Sequence, residues 1–321
     1  MRINLLVWAG GKGTRLRPIT WEYFPKGTLP LAGETMISRV VRNAVEGIRT
    51  SGFELGQILV STTPEGRRRV QTSLSTLGPQ ERRRIRFSIA PYDRPGERFL
   101  KGLASTVPTL SCNDDKIVRP SAIKRALATF GRLQRTVVAV SSRSYGLRYR
   151  SRYHSALTVY SKDVRPVAKE LVNEWEDRRG IPFEAYHLAS YLRSRNDACF
   201  LKVGEPLNVN SATGYLKALH SIIGSGSFVS PSSRCARESR LRTVAVEGKC
   251  VIGKVQADSV VFFPDCRVGD GAVISHCIVA PHSRILPGTH LAGTVRRPNF
   301  IGTFLSECRN SWPDSGQEQL T

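Results

Sequence analysis

The sequence of 321 residues combines 40% hydrophobic and 23% charged side chains with a formal net charge of +22 at pH 7. This composition is typical of a globular protein with a sizeable core, and it excludes a disordered, collagen-like or acidic-tail chain. The length predicts two domains. No run of 18 apolar residues occurs, so we expect no membrane span, and the short apolar run Ile3–Ala9 leads into glycines rather than a signal cleavage site.

The basic charge is concentrated in the first two thirds of the chain, since residues 1–221 carry a net charge of +19. Its main clusters are Arg67–Arg69, Arg82–Arg84 with Arg86, and Arg143–Arg152. Such a field attracts phosphates, and one hypothesis is therefore a basic nucleic-acid-binding protein. No recognisable nucleic-acid-binding motif accompanies the clusters. We favour a solvated arginine-rich surface and do not expect nucleic acid as a partner.

The seven cysteines are an odd number and include no Cys-x-x-Cys pair. Structural zinc sites and disulfide frameworks usually show paired, regularly spaced cysteines. We therefore expect reduced thiols in a cytoplasmic protein rather than disulfides or zinc.

Residues 1–223 alternate strand-like and helix-like segments, which predicts an α/β domain. The pattern is typical of a Rossmann-like, mostly parallel mixed sheet with helices on both faces. Short apolar runs predict strands at Ile3–Trp8, Gln57–Ser61, Ile85–Ala90, Thr136–Ser141 and Ala156–Tyr160. Helical spacing predicts helices at Thr35–Ile48, Glu97–Val107, Ser121–Phe130 and Val164–Trp175.

The pattern changes after residue 223, where residues 224–240 are rich in Gly, Ser and Pro and predict a linker. Residues 241–308 then repeat apolar side chains every six positions, which indicates a short left-handed parallel β-helix of about three coils. A few antiparallel strands are the alternative. The six-spaced sets are Val246 and Ile252; Phe262, Val268, Ile274 and Ala280; and Ile285 and Leu291. We expect self-association through this part and a polar tail at 309–321.

A glycine-rich loop directly follows the first predicted strand. Its sequence is Ala9-Gly-Gly-Lys-Gly-Thr-Arg15, and Pro25-Lys26 follows ten residues later. Glycines allow backbone N–H groups to approach a phosphate chain closely, and Arg15 and Lys26 would add positive charge. The Gly-Lys-Ser/Thr of a Walker loop does not occur. An ordinary tight turn is the alternative interpretation of a glycine loop on its own.

The longer pattern from Leu5 to Gly33 resembles the opening of the sugar-1-phosphate nucleotidyltransferases, or nucleotide-sugar pyrophosphorylases. In that family the loop continues as Leu-x-Pro-x-Thr, then Pro-Lys, then Leu-x-Pro, and this sequence has Leu16-Arg-Pro-Ile-Thr20, Pro25-Lys26 and Leu29-Pro-Leu-Ala-Gly33. The four residues between Thr20 and Pro25 resemble the mannose-1-phosphate guanylyltransferase branch. Many members also carry a hexapeptide-repeat C-terminus.

The resemblance implies an enzyme of EC 2.7.7 type, which joins a nucleoside triphosphate to a sugar 1-phosphate and releases pyrophosphate. The sugar phosphate would attack the α-phosphorus in line, a reaction that depends on positioning and charge neutralisation. Arg15 would stabilise the leaving pyrophosphate, and Lys26 would bridge the α-phosphate and the sugar phosphate. The triphosphate would be bound by Ala9, Gly10, Gly11, Gly13 and Thr14.

The family also implies Mg²⁺ held by two aspartates. The first corresponds to Asp114, with Asp115 as the alternative. The second corresponds to Asn208, where an amide oxygen replaces the carboxylate and brings no charge. Two further departures are Pro95–Phe99 in place of a Gly-Thr-Ala stretch and the absence of the family's Glu-Lys-Pro.

These departures leave open a second hypothesis, a catalytically weakened relative that binds nucleotide and regulates a partner. Within the first hypothesis, the Thr20-to-Pro25 spacing favours GTP, with mannose 1-phosphate or a related sugar phosphate as the second substrate. His276, His282 and His290 suggest a catalytic histidine of a hexapeptide acyltransferase, but surface positions on the repeat are the favoured interpretation.

Overall fold

A computed structural model of the chain describes residues 1–11, 13–22, 25–90, 94–103, 106–141, 155–181, 183, 185–294 and 298–302. The chain divides into two compact units, which are described separately. The first comprises Met1–Gly11, Pro25–Thr28 and Glu34–Asn208, and the second comprises Lys12–Phe24, Leu29–Gly33 and Val209–Thr321.

The first unit is built around a seven-stranded mixed sheet in the order β3-β2-β1-β4-β7-β6-β8. All pairs are parallel except those made by β7, which runs antiparallel to β4 and β6. The predicted mixed α/β sheet is therefore confirmed. Two short strands, β5 and β9, form a separate two-stranded ladder. The strands of the unit are β1 (Arg2–Trp8), β2 (Glu54–Thr62), β3 (Ile85–Ile89), β4 (Thr109–Asn113), β5 (Lys116–Ile117), β6 (Thr136–Ser141), β7 (Ser155–Tyr160), β8 (Ala198–Val203) and β9 (Leu207–Asn208).

Helices connect these strands, and α1 shows why they form where they do. Thr35 caps this helix by accepting a hydrogen bond from the Ser38 backbone N–H, and the apolar face predicted from the sequence is buried. The helices are α1 (Met36–Thr50), α2 (Arg67–Leu74), α3 (Pro79–Arg84), α4 (Pro95–Gly102), α5 (Pro120–Leu133), α6 (Val164–Val172) and α7 (Ala185–Ser194).

Two predicted helices differ in extent from the observed ones. The helix expected at Glu97–Val107 begins at Pro95 and ends at Gly102, where a β-carbon would lie 2.6 Å from Leu6 of β1. The glycine thus permits a close approach of helix and sheet but favours the end of the helix. The helix expected at Val164–Trp175 ends at Val172 and continues as a π-helical turn, Asn173–Arg178.

The order of the strands creates a topological switch point beside β1. The chain passes from β1 outward to β2 and β3 and then returns to place β4 on the other side of β1. In open α/β sheets, ligands bind at the carboxyl ends of the two strands that flank such a reversal. Trp8 pairs with Asn113 at this point, so the glycine loop and the acidic pair after β4 leave the sheet side by side.

The second unit contains helix α8 (Ala212–Ile223), a one-turn helix Ile19–Glu22 and two stacks of parallel strands. One stack runs β10-β12-β14-β16-β18, with β19 also paired to β16, and the other runs β11-β13-β15-β17. The strands are β10 (Ser227–Val229), β11 (Arg234–Cys235), β12 (Arg240–Val246), β13 (Val251–Ile252), β14 (Gln256–Phe262), β15 (Arg267–Val268), β16 (Val273–Val279), β17 (Arg284–Ile285), β18 (His290–Ala292) and β19 (Asn299–Ile301).

The six-residue repeat corresponds to inward-facing positions of these stacks. Val244 pairs with Val260 and Val260 with Cys277, so successive turns of chain are in register. Val246, Ile252, Phe262, Val268, Ile274, Ala280 and Ile285 are buried. Every pairing among the described strands of this unit is parallel, so the antiparallel alternative is wrong, and the arrangement is consistent with the predicted β-helix.

The stack extends further toward the N-terminus than the sequence suggested. Ser227–Val229 and Arg234–Cys235, within the segment interpreted as a linker, are strands that pair with the next turn of chain. The first stack therefore has five successive rungs, where the sequence pattern indicated about three coils. Gly, Ser and Pro at the corners hide the apolar period in this segment.

Candidate active site

The glycine loop is anchored where it leaves β1. The backbone N–H of Ala9 donates to the Ser61 carbonyl at 2.7 Å, and the Ala9 carbonyl accepts the Thr62 hydroxyl at 2.9 Å. Both polar backbone groups of Ala9 are thus used to hold the loop against the end of β2. Ala9 therefore fixes the direction in which the glycines leave the sheet.

Two cationic side chains occupy the space beside two of the glycines. A β-carbon on Gly10 would lie 3.0 Å from Nη1 of Arg98, and one on Gly11 would lie 3.4 Å from Cε of Lys26. Arg98 is 5% exposed. The loop consequently has a guanidinium against one glycine and a lysine side chain along the next, two groups that can interact with phosphate.

Lys26 and the segment after it are held by the two aspartates that follow β4. Lys26 Nζ lies 2.5 Å from Oδ2 of Asp115, and the Gly27 backbone N–H donates to Oδ2 of Asp114 at 3.1 Å. Asp114 is fixed in turn by its own N–H, which donates to the carbonyl of Trp8 at 3.0 Å. The structure therefore brings Gly10, Gly11, Lys26, Asp114 and Asp115 together at the switch point.

Gly27 is required for this contact. A β-carbon there would lie 2.6 Å from Oδ2 and 2.8 Å from the β-carbon of Asp114. Gly27 could not be singled out from local sequence patterns, because the contact joins residues 87 positions apart.

Burial changes the proton affinity of this cluster. It raises the pKa of Asp114 to about 7, an effect that Lys26 opposes and the neighbouring Asp115 reinforces. Burial also lowers the pKa of Lys116, with Asp115 acting in the opposite direction. The site thus contains a carboxyl group that exchanges its proton near neutral pH, beside a lysine paired with a second carboxylate.

The position predicted as the second metal ligand comes close to the first. Asn208 pairs directly with Lys116 in the short antiparallel ladder of β5 and β9, one residue beyond Asp115. Among the described residues, no group of three or more His, Cys, Asp or Glu side chains could hold a metal ion. Mg²⁺ needs only one or two carboxylates plus substrate oxygens, so Asp114, Asp115 and the amide oxygen of Asn208 fit its donor preference.

The remaining residues predicted to bind phosphate belong to the second unit. Gly13 has φ 64° and ψ 30°, a left-handed conformation that favours glycine, and it precedes the 3-10 helix Thr14–Leu16. Its carbonyl accepts hydrogen bonds from the Leu16 N–H at 2.9 Å and the Thr20 hydroxyl at 3.0 Å. Thr14 and Arg15 are exposed on this short helix.

Other residues named from the sequence lie elsewhere or are not described. His276 lies within β16 and His282 in the turn after that strand, both with positive φ, and His290 begins β18. His282 Nδ1 lies 3.9 Å from Asp265, and its side chain is 64% exposed. The six described cysteines form no disulfide. Residues 143–152, which carry one arginine cluster, lie outside the described part of the chain, as does Cys308.

Arg98 is the main functional candidate that the sequence did not identify. It lies in Pro95–Phe99, which was noted only as a departure from the family pattern. No local sequence pattern marks it, because its burial and its contact with Gly10 arise only in the folded chain.

Comparison with known proteins bears on the part of the chain that carries the glycine loop and Lys26. Residues 5–107 match the sequence model of the nucleotidyl transferase family. The match covers β1 from Leu5 onward, the glycine loop, Lys26, β2 and β3, and it ends before β4 and the two aspartates. It supports a nucleotidyltransferase in general, with transferase activity of EC 2.7.7 type and a nucleotide substrate. No curated protein matches the chain significantly.

No helix among the described residues is long and apolar enough to cross a membrane.

Proposed function

We propose that the protein joins a nucleoside triphosphate to a sugar 1-phosphate and releases pyrophosphate. The observation that carries the proposal is the position of Lys26, whose side chain runs beside Gly11 and whose ammonium group ends on Asp115. A lysine in this place can reach a phosphate held by the loop. The match of residues 5–107 to nucleotidyl transferases supports the same chemistry.

The reaction needs charge neutralisation and alignment more than a covalent nucleophile. Loop N–H groups would bind the triphosphate, and Lys26 would exchange Asp115 for the α-phosphate and the attacking sugar phosphate. Arg15 would stabilise the departing pyrophosphate. Bound Mg²⁺ would neutralise developing charge on phosphate oxygens, and Asp114, Asp115 and Asn208 are the residues that would hold it.

The preferred substrates are GTP and mannose 1-phosphate or a related sugar phosphate. Support for GTP comes from the four residues between Thr20 and Pro25. The sugar is inferred from the same branch of the family. We place the protein in a reducing, cytoplasmic environment, and the six cysteines within the described part of the chain, which are all free, support this.

The decisive experiment incubates pure protein with a panel of nucleoside triphosphates and sugar 1-phosphates in the presence of Mg²⁺. Pyrophosphate release that requires both substrates is the expected result. The Lys26→Met variant should lose at least about 100-fold in rate, the order expected for removing one electrostatic group. Lys101→Met is the matched control, since Lys101 is exposed and pairs with Glu97 on its own helix. Folded protein that releases no pyrophosphate with any pair would contradict the proposal.

A weakened, nucleotide-binding regulatory relative is the second candidate. Asn208 favours it, because this amide stands beside Lys116 where the family has a charged ligand. This candidate predicts nucleotide binding by calorimetry without turnover. A gain of activity in Asn208→Asp would show that the missing carboxylate at the proposed metal site weakens catalysis.

We also propose that the strand stacks of the second unit mediate self-association. Two exposed apolar side chains there, Val251 and Leu286, are 49% and 73% exposed. The ends of such stacks carry unpaired backbone groups that favour contact with another chain. Light scattering after size exclusion tests this, and replacing both side chains by Lys should shift the protein toward monomer.

A further inference from the structure

Arg98 is held in one place by the elements around the glycine loop. Its Nη1 donates to the Ala90 carbonyl at 3.4 Å, and its own carbonyl accepts the Ser88 hydroxyl at 3.3 Å. Ser88 belongs to β3, and Ala90 follows that strand. The next residue, Phe99, stacks on Trp8 at 5.3 Å between ring centroids. The end of β3 and the end of β1 therefore together fix the position of Arg98.

This position sets the guanidinium directly against Gly10. Nη1 and Cζ lie 3.0 and 3.3 Å from where a β-carbon of residue 10 would be. Burying a guanidinium is costly, and replacing such a group by an apolar side chain of similar volume is often neutral or stabilising. The arginine is therefore not explained by packing alone.

We infer that Arg98 is a positioning residue of the glycine loop that favours ligands carrying several phosphates. The inference rests on the proposed binding of a nucleoside triphosphate at this loop. Arg98 would act through Gly10, whose place it fixes, and through its charge, which adds to the field of the loop N–H groups. Arginine suits this task because its charge is permanent and delocalised over a planar group.

The two contributions differ in a measurable way. Holding the loop in shape affects every ligand of the loop by a similar factor. A fixed positive charge affects ligands in proportion to their negative charge, because Coulomb energy is additive over charges. The ratio of affinities for triphosphate, diphosphate and monophosphate therefore separates an electrostatic role from a purely structural one.

The test is calorimetric titration of the full chain with GTP, GDP, GMP and inorganic tripolyphosphate. Arg98→Met keeps length and apolar volume but removes the charge, and Arg98→Lys keeps the charge. Arg84→Met is the matched control, because Arg84 also donates to backbone carbonyls, those of Leu55 and Gly56, at the amino end of β2. Circular dichroism and thermal melting establish that each variant is folded.

We expect Arg98→Met to weaken binding of GTP and tripolyphosphate at least tenfold, GDP less and GMP least, by about threefold where GTP loses tenfold, because GMP carries about half the phosphate charge. Arg98→Lys should recover much of the loss, and Arg84→Met should leave all four affinities unchanged. An equal loss for all ligands, no loss, or wild-type protein that binds none of the four probes would overturn the inference. Wild-type binding without any turnover would refute the proposed transferase function while leaving the role of Arg98 intact.

Discussion

Replacing Asp114 by Asn should stabilise the protein at neutral pH while impairing its activity. Asp114 is 2% exposed, and burial raises the pKa of its carboxyl group from 3.8 to about 7. Between these values the folded state binds more protons than the unfolded state, so the free energy of unfolding falls as pH rises. Asn has nearly the same shape, its carbonyl can accept the Gly27 N–H, and it carries no charge to bury.

The magnitude follows from the two pKa values. A tenfold change in a protonation equilibrium corresponds to about 1.4 kcal/mol, so a pKa raised from 3.8 to about 7 corresponds to about 4 kcal/mol. That pKa already includes the attraction between Lys26 and the carboxylate. The amide of Asn buries two N–H donors where the protonated carboxyl has one O–H, which offsets part of the gain. We therefore expect Asp114→Asn to gain about 1–3 kcal/mol of stability at pH 8 and almost nothing at pH 4.

The assay is urea denaturation of both proteins at several pH values between 4 and 8. The difference between variant and wild type should grow with pH, whereas Asp177→Asn, at an exposed aspartate, should give a flat difference. The rate of pyrophosphate release should fall in Asp114→Asn, because a carboxylate at the switch point is lost. A variant that is less stable than wild type at pH 8, or a difference independent of pH, would refute the reasoning.

Three further substitutions test the same cluster. Gly27→Ala should cost about 1–3 kcal/mol in thermal unfolding, because its β-carbon would overlap Asp114, whereas Gly204→Ala, with open space around it, should stay within about 0.5 kcal/mol. Lys26→Met should weaken GTP binding, measured by calorimetry, as well as turnover. Unchanged affinity would contradict a contact between the lysine and bound GTP before the reaction. Asn208→Asp should increase Mg²⁺-dependent pyrophosphate release, and an unchanged or lower rate would argue against a metal ligand at this position.

Local signals predicted most of the first unit. Continuous apolar runs located strands correctly, since the predicted Ile3–Trp8 lies within β1 and Thr136–Ser141 coincides with β6. A strand buried on both faces needs apolar side chains at successive positions, so its sequence is easy to recognise. Strand β8 (Ala198–Val203) was not predicted, because it is an edge strand with a mixed sequence and mostly half-buried residues. Its pairing with β6 is a tertiary fact that no local pattern encodes.

The candidate site likewise contains residues that the sequence predicts and residues that only the fold brings together. The glycine loop and Lys26 belong to one short motif, which resembles a known family. Asp114, with Asp115 as the alternative, and Asn208 were placed only through that resemblance. The β5–β9 ladder supplies the physical reason for their proximity, because it pairs Asn208 with Lys116, the residue after Asp115. Arg98 could not be predicted in its role, because its contact with Gly10 depends on how helix α4 packs beside the end of β1.

The structure also changes the explanation of the loop glycines. From the sequence, all three glycines serve one purpose, which is to let backbone N–H groups approach a phosphate. Gly13 has the left-handed φ that favours glycine, whereas Gly10 leaves room for the guanidinium of Arg98, which would lie 3.0 Å from a β-carbon there. Alanine at position 10 would therefore act by displacing a guanidinium, and its effect on triphosphate binding should be small once Arg98 has been replaced by Met. Such non-additivity in a double-mutant cycle would assign the glycine and the arginine to a single functional unit.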